Sequence, residues 1–395
     1  MAKSARDLAW WVWGILLLLA VGRAALWDHP RHCGCYAVFE TAGRNWVQGE
    51  DLYDRDLELD VFHYSPLAGA LLAPLGLVPT GIGNGLLRLV NMAAFLSAVW
   101  WWMRACLPDW LSAGRRGSFF LVLALLCNNY LMDVQVNVLI TGLMLGTMAA
   151  VAEKRWFVAA ALCSLAVYLK VYPLALGLLL ALAYPRSFAP RWLLLLILGA
   201  ALPFLLQDTS YVARQYHDWV SFGANRRYVE HYFQDVMRFH EVAVGPMSRQ
   251  VYYVWAIAMG AAIAGVCLLQ RARGLPAQQL QNLLYGLACA WITAFGPCTE
   301  AVTYVLITPA LAASFVLAWT RPQPWWFRGM VSFSCLVLTT AQLELLLPFD
   351  SPMQDFAVLP VAATVFLVAV SVRGLGDSQT LPISARPIRQ VPLAA

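Results

Sequence analysis

Long apolar runs separated by short polar turns make up most of the chain. A helix needs about 20 mostly apolar residues to cross a bilayer. Thirteen segments approach this, at 9–27, 64–80, 84–105, 118–134, 137–152, 156–170, 171–184, 193–206, 251–270, 279–296, 302–319, 327–347 and 356–373. The segment at 64–80 is short and contains three prolines, so we expect it to enter the membrane without crossing it. The pattern predicts an all-α integral membrane protein with a bundle of about 12 transmembrane helices, within a range of about 11–13.

Polar positions are concentrated in two places. Thirteen of the 22 acidic residues and all six histidines lie within residues 28–63 and 207–250. A charge inside hydrocarbon costs roughly 2.5–3.5 kcal/mol on insertion scales. The two stretches are therefore predicted to be external loops that face water beside a membrane-embedded site.

Composition supports a membrane class and argues against a soluble fold. The 395 residues are 61% hydrophobic and 12% charged, whereas a soluble domain has about 25% charged residues. We expect one polytopic domain over residues 1–375 and a disordered cytoplasmic tail over 376–395. The net charge of +5 comes from dispersed arginines, which is typical of cytoplasmic loops and not of nucleic-acid binding. The spacing of cysteines and histidines predicts no metal site.

Positive residues orient the predicted helices. Basic residues concentrate on the cytoplasmic side of membrane proteins. They occur here at Lys3, Arg6, Arg115, Arg116, Lys154, Arg155, Arg186, Arg191, Arg271, Arg273, Arg321, Arg328, Arg386 and Arg389. Both termini are therefore predicted inside, with 28–63 and 207–250 outside.

The first external stretch contains a segment with helical periodicity. Glu40, Gly43, Arg44, Trp46 and Val47 recur at the spacing of one helix face, so residues 36–48 are predicted to form an amphipathic helix on the membrane surface. Such a helix would place carboxylates where lipid headgroups lie. The alternative is a solvated acidic loop that keeps this segment out of the bilayer.

Three motifs, taken in order, carry a family resemblance. They are Ala-Gly-Arg-x-Trp-x-x-Gly-Glu-Asp-Leu-Tyr at 42–53 with Phe-x-Tyr-Ser-Pro-Leu at 62–67 and Ala-Pro-Leu at 73–75, then Gln-Val-Asn at 135–137, then Leu-Lys-Val-Tyr-Pro at 169–173. Fainter matches lie at 296–306 and near 216–218. The set resembles the bacterial glycosyltransferase family 87, within the GT-C class of integral-membrane glycosyltransferases.

The resemblance implies an activity. Members are similar to polyprenyl-phosphate-mannose-dependent mannosyltransferases, which move a sugar from a polyprenyl-phosphate donor to a glycolipid or glycan acceptor. It implies inverting transfer of mannose or another hexose at the extracytoplasmic face of the bacterial inner membrane, with no metal or other cofactor. Single-displacement inversion needs one carboxylate base and a cation to stabilise the departing phosphate.

Three carboxylates are candidates for the base. Relatives place an aspartate a few residues before the amphipathic helix, whereas this chain has no acid at 32–36. Asp28 directly follows the first predicted helix, as the catalytic acid of GT-C enzymes commonly does. Glu40 is the next acid, although it could simply pair with Arg44 four residues on. Glu300, the third candidate, could instead be a helix N-terminal charge favoured by the dipole.

Lys170 is the leading candidate for the cation. It interrupts an apolar stretch, and an ionisable residue inside the membrane is a functional hypothesis by default; the alternative is snorkelling to the interface. Further candidates for binding the donor phosphate or sugar, each with a structural alternative such as capping or surface pairing, are Gln135, Asn137, His63, Tyr64, Arg44, Arg226, Arg227 and Tyr304.

Two other classes of function stay open on the sequence. One is a lipid or solute transporter or flippase, although transporters place their coupling charges at the midplane of paired repeats, and no such repeat is evident here. The other is a non-catalytic membrane scaffold, because the expected aspartate is missing at 32–36.

Overall fold

The structure is a computed structural model that describes residues 2–26, 35–53, 62–107, 113–225, 233–296, 299–344 and 356–376. Helices form nearly all of these residues. The α-helices are α1 Ala2–Leu26, α2 Cys35–Gln48, α3 Pro66–Leu72, α4 Thr80–Cys106, α5 Ala113–Met132, α6 Asn137–Ala152, α7 Trp156–Leu169, α8 Leu174–Ala183, α9 Ala189–Ala201, α10 Thr209–Asn225, α11 Val236–Ala243, α12 Arg249–Ala272, α13 Ala277–Phe295, α14 Thr308–Thr320, α15 Trp325–Glu344 and α16 Leu359–Gly376. Short 3₁₀ helices cover Ala73–Leu77, Leu202–Leu205 and Ala301–Leu306. The predicted all-α class is confirmed for these residues.

Each of the thirteen predicted apolar segments overlaps a helix. Three helices within the described ranges are long and apolar enough to cross a membrane, at Ala5–Gly22, Thr80–Cys106 and Arg249–Ala272. Others are apolar but shorter, and the count of 12 crossings stays a prediction. The segment at 64–80 consists of the seven-residue α3 and a five-residue 3₁₀ helix, which at about 1.5–2 Å per residue is too short to span a bilayer.

Helix α6 occupies the centre of the bundle. Its side chains are buried on every face, from Asn137 to Val151, except at Leu139, so other parts of the chain surround it. Its neighbour α4 approaches closely at Gly142, where a Cβ atom would lie 3.0 Å from the carbonyl oxygen of Ala94. This packing places Asn137, the first residue of α6, at the centre of one end of the bundle.

Helix α2 lies directly on the segment that follows it. A Cβ atom at Gly43 would overlap the carbonyl oxygen of Leu72, and one at Gly76 would lie 2.8 Å from the Cα atom of Arg44. The two glycines therefore let two backbones touch, which explains the place of Gly43 in the first motif. The position of α2 at a membrane surface stays a prediction.

The second polar stretch, 207–250, contains α10 and α11, and its position as an external loop stays a prediction. It also contacts the first stretch, because the Leu52 amide donates to Gln215 Oε1 at 2.9 Å and the Tyr211 hydroxyl donates to the Glu50 carbonyl at 2.8 Å. Residues from the two acidic stretches thus lie at the same end of the bundle. The predicted tail lies outside the described residues from position 377 onward.

Candidate functional site

Lys170 and Glu300, which are 130 residues apart in the sequence, meet at this end of the bundle. Lys170 Nζ lies 3.9 Å from Glu300 Oε2, and the side chains are 18% and 31% exposed. Lys170 follows the last residue of α7 in extended conformation, and Glu300 precedes the 3₁₀ helix Ala301–Leu306. Both therefore project from helix ends, where a charged group can reach water while its helix stays in an apolar environment.

Gln135 joins this pair to the first turn of α6. Its Nε2 atom donates to Glu300 Oε2 at 3.4 Å and to Cys35 Sγ at 3.3 Å. Its Oε1 atom accepts from Asn137 Nδ2 at 2.9 Å, and the Tyr172 hydroxyl donates to Asn137 Oδ1 at 2.7 Å. The second and third motifs and the turn at Glu300 thus form one hydrogen-bonded network.

The motif at 62–67 completes the site. Ser65 caps α3 and donates from its hydroxyl to the carbonyl of Tyr168 at 2.7 Å, which ties this motif to the end of α7. Lys170 Nζ consequently lies 5.8 Å from the centre of the Tyr64 ring and 5.9 Å from that of Tyr172. Two aromatic faces at that distance favour a cation at this position.

A cavity of about 550 Å³ opens beside the pair. Its polar end is formed by His63, Lys170, Tyr172, Thr299, Glu300 and Thr303. Its other walls are apolar side chains of α8, α12 and α13, among them Leu174, Leu178, Leu182, Ile263, Ala288 and Trp291. The α8 residues repeat every four positions, so they form a continuous stripe that leads away from Lys170. Leu178 and Leu182 are about half exposed, which opens the stripe toward the outside of the bundle.

The electrostatic environment of the site suppresses ionisation of the nearby thiol. Burial raises the pKa of Cys35 to about 12, and the carboxylate of Asp133 adds to this rise. Burial also raises the pKa of Tyr64, as do the charges of its neighbours, Glu300 among them. Both groups are therefore neutral at physiological pH and act as hydrogen-bonding or packing groups.

Several predicted site residues are not in this cluster. Glu40 pairs with Arg44 Nη2 at 2.9 Å and accepts from the Thr80 hydroxyl at 3.0 Å. It lies five residues beyond Cys35, which rotates it by about 140° away from the cluster on α2. Tyr304 is fully buried, and its hydroxyl donates to the carbonyl of Gln234 at 2.7 Å. The structure describes none of Asp28, Arg226 and Arg227.

Sequence comparison assigns the chain to a family. The profile of Glycosyltransferase family 87 matches residues 62–293, which is more than half of the chain. The chain belongs to glycosyltransferase family 87. It is thus a glycosyltransferase. The matched segment includes His63, Tyr64, Gln135 and Lys170, and it ends before Glu300.

Solved structures and curated proteins add little to that assignment. The crystal structure of ArnT from Cupriavidus metallidurans bound to undecaprenyl phosphate is 15% identical, with 94% of this chain and 77% of that chain covered and a TM-score of 0.46. The same protein in the apo state is 16% identical, with 85% and 71% covered and a TM-score of 0.41. No curated protein matches the chain.

Polar side chains of α4 support the site of this family 87 chain, and the sequence analysis did not select them. Arg88 is 6% exposed and donates to the Met132 carbonyl at 2.6 Å. Asn91, nearly one turn further on, donates to the Gln135 carbonyl at 3.1 Å. The two side chains hold the turn that carries Gln135. An arginine inside a 27-residue apolar helix was the signal that could have identified them.

Proposed function

We propose that the chain transfers a sugar, mannose or another hexose, from a polyprenyl-phosphate donor to a glycolipid or glycan acceptor with inversion at the anomeric carbon. The observation that carries this proposal is the position of Lys170 at the head of an apolar stripe, 3.9 Å from Glu300. A lipid-linked phosphate needs a cation for its headgroup and an apolar surface for its tail, and both occur here side by side.

Lys170 is the group proposed to bind the donor phosphate. In the reaction the acceptor oxygen bonds to the anomeric carbon while the bond from that carbon to the phosphate oxygen breaks, and the electron pair leaves with the polyprenyl phosphate. A fixed cation at the phosphate stabilises the charge that develops there. The rings of Tyr64 and Tyr172 hold the ammonium group in place, with His63 at the same cavity end.

Glu300 is assigned to the donor side of the reaction. Inversion in one displacement requires the base and the leaving phosphate to lie on opposite faces of the sugar ring. A carboxylate 3.9 Å from the phosphate-binding ammonium lies on the phosphate's face. We therefore assign Glu300, with Gln135 and Asn137, to orienting Lys170 and to accepting hydrogen bonds from sugar hydroxyls.

Asp28 is the proposed base that takes the acceptor proton. It lies two residues after the end of α1 in the sequence, and it is the remaining candidate, since Glu40 is held by Arg44 and Thr80. Arg226 and Arg227 stay proposed phosphate ligands. The site is proposed to face the extracytoplasmic side of the bacterial inner membrane, because the basic turns of the chain lie at other helix ends.

A donor panel tests this function. Membranes that contain the protein are incubated with radiolabelled polyprenyl-phosphate mannose, glucose or galactose, and labelled glycolipids or glycans are extracted. We expect one donor to be consumed, with loss in Asp28→Asn and in Lys170→Met. In Asp28→Asn the affinity for polyprenyl phosphate should persist, whereas in Lys170→Met it should fall.

Two results would overturn the proposal. One is consumption of a sugar nucleotide and none of the lipid-linked sugars. The other is movement of a lipid or solute across proteoliposomes that proceeds without any sugar transfer, which would favour a transporter or flippase.

A further inference from the structure

The backbone at Glu300 is held by a segment of the second polar stretch. Phe233 and Glu300 form an antiparallel β-bridge, and the Gln234 amide donates to the Thr299 carbonyl at 2.6 Å. Gln234 and Asp235 are 1% and 5% exposed. We call residues 233–235 the strap. It directly precedes α11, whose first turn is capped by the Asp235 side chain.

Tyr304 fastens the strap to the bundle. Its hydroxyl donates to the Gln234 carbonyl at 2.7 Å and lies 3.1 Å from the Thr293 carbonyl near the end of α13. The ring is 0% exposed. Gln234 is thus held on both of its backbone polar groups, by Thr299 through its N–H and by Tyr304 through its C=O.

These contacts fix the position of the turn that carries Glu300. A turn between two helices is free to move unless something outside the helices fixes it. The 3.9 Å separation of Glu300 from Lys170 is set across two different segments, so a small shift of the turn changes it. A displacement of about 1 Å is enough to impair a positioned group.

We propose that Tyr304 is a positioning residue for the donor site: by pinning the strap it sets the place of Glu300 opposite Lys170. The inference rests on the proposed function, in which that pair binds the donor. It also gives the second polar stretch a role, because α11, which directly follows the strap, is then joined to the donor site through backbone hydrogen bonds.

Tyr304→Phe tests the proposal, since it removes one hydroxyl and keeps the ring. We expect the donor KM to rise about tenfold with a smaller change in kcat, the size expected for one buried hydrogen bond. Hydrogen exchange at the Gln234 amide, measured on a peptide that covers the strap, should accelerate by a similar factor because the strap is released.

Tyr285→Phe is the matched control. Tyr285 is also 0% exposed, and its hydroxyl donates to the Leu306 carbonyl at 2.9 Å, at the far end of the same 3₁₀ helix. The Tyr285→Phe variant should lose about as much thermal stability as Tyr304→Phe, while its donor KM and the hydrogen exchange of its strap stay at wild-type values.

Two outcomes would overturn the inference. A Tyr304→Phe variant with wild-type donor KM would show that the hydroxyl has only a structural role, and so would equal effects in both variants. If the wild-type protein consumed no polyprenyl-phosphate donor, the proposed function itself would fail, and strap exchange alone would then decide whether Tyr304 pins the strap.

Discussion

Two ion pairs of this chain differ in nearly every respect. Glu40 and Arg44 lie one helical turn apart on α2, 2.9 Å from each other, and the Arg44 side chain is 50% exposed. Lys170 and Glu300 lie 130 residues apart in the sequence, 3.9 Å from each other beside a cavity of about 550 Å³. The shorter pair follows from helix geometry alone, whereas the longer pair requires the whole fold.

The difference teaches that distance is a poor guide to function in this protein. An i,i+4 pair on a helix surface contributes about 0.2–0.5 kcal/mol, because water and salt screen its charges. A cation whose neighbours are aromatic rings and an apolar cavity interacts more strongly with an incoming anion, because the local dielectric constant is low. The longer contact, between Lys170 and Glu300 at the wall of the cavity, is therefore the one that we propose takes part in the reaction.

The largest effect should come from removing the charge of Lys170, the cation of the Lys170–Glu300 pair. Lys170→Met keeps the length of the side chain and removes its charge, so we expect donor turnover to fall by about 100-fold or more, as on loss of one preorganised electrostatic group. The measurement is donor consumption per folded molecule. Lys154→Met, which removes a lysine at a turn between α6 and α7, is the control and should retain wild-type turnover. Comparable turnover in the two variants would contradict the assignment of Lys170 to the phosphate.

Removing the carboxylate of the same pair should have a smaller effect. Glu300→Gln preserves the shape and one hydrogen-bonding oxygen, so we expect the donor KM to rise about tenfold, in line with one charged hydrogen bond. Steady-state kinetics with varied donor separates this change from a loss in kcat. A large fall in kcat with unchanged KM would instead identify Glu300 as the base and displace Asp28 from that role.

The sequence predicts the apolar helices and several residues of the site, but it does not predict which of those residues meet. The selection of Lys170 as a candidate follows from the cost of a charge in hydrocarbon, whereas Gln135 and Asn137 were selected because they belong to a motif of the resemblance. Helices α10 and α11 were missed, because short segments rich in charged and polar residues resemble solvated loops. Which candidates meet is a question of long-range packing, and no local pattern contains it.

Tyr304 and Arg88 show that limit most clearly. Tyr304 was predicted to bind the donor because it follows Glu300 by one turn, yet its hydroxyl is directed to the Gln234 carbonyl. Arg88 was passed over as part of a hydrophobic helix, yet it holds the turn before Gln135 through the Met132 carbonyl. Both roles depend on backbone carbonyls from distant segments, which the sequence does not locate.

Close packing between α2, which carries Glu40 and Arg44, and the segment at Gly76 should be detectable as a contribution to thermal stability. In Gly76→Ala the new Cβ atom would lie 2.8 Å from the Cα atom of Arg44, and such overpacking costs about 1–3 kcal/mol. Thermal unfolding in detergent should therefore shift to lower temperature, while the donor KM of the remaining folded protein stays unchanged. Gly14→Ala, at a position with no atom within 4 Å of the new Cβ, should not lower the transition.

The smallest effect is expected for changes in the Glu40–Arg44 pair on α2. Glu40→Gln keeps an oxygen that can accept from the Thr80 hydroxyl, now 3.0 Å from the carboxylate, and loses only the attraction to a half-exposed arginine. We expect stability to change by less than about 0.5 kcal/mol and donor turnover by less than about twofold. Arg44→Gln should behave in the same way, since it removes the same interaction from the other partner. If Glu40→Gln lost as much turnover as Lys170→Met, Glu40 would be the base, and its contact with Arg44 would belong to the reaction site.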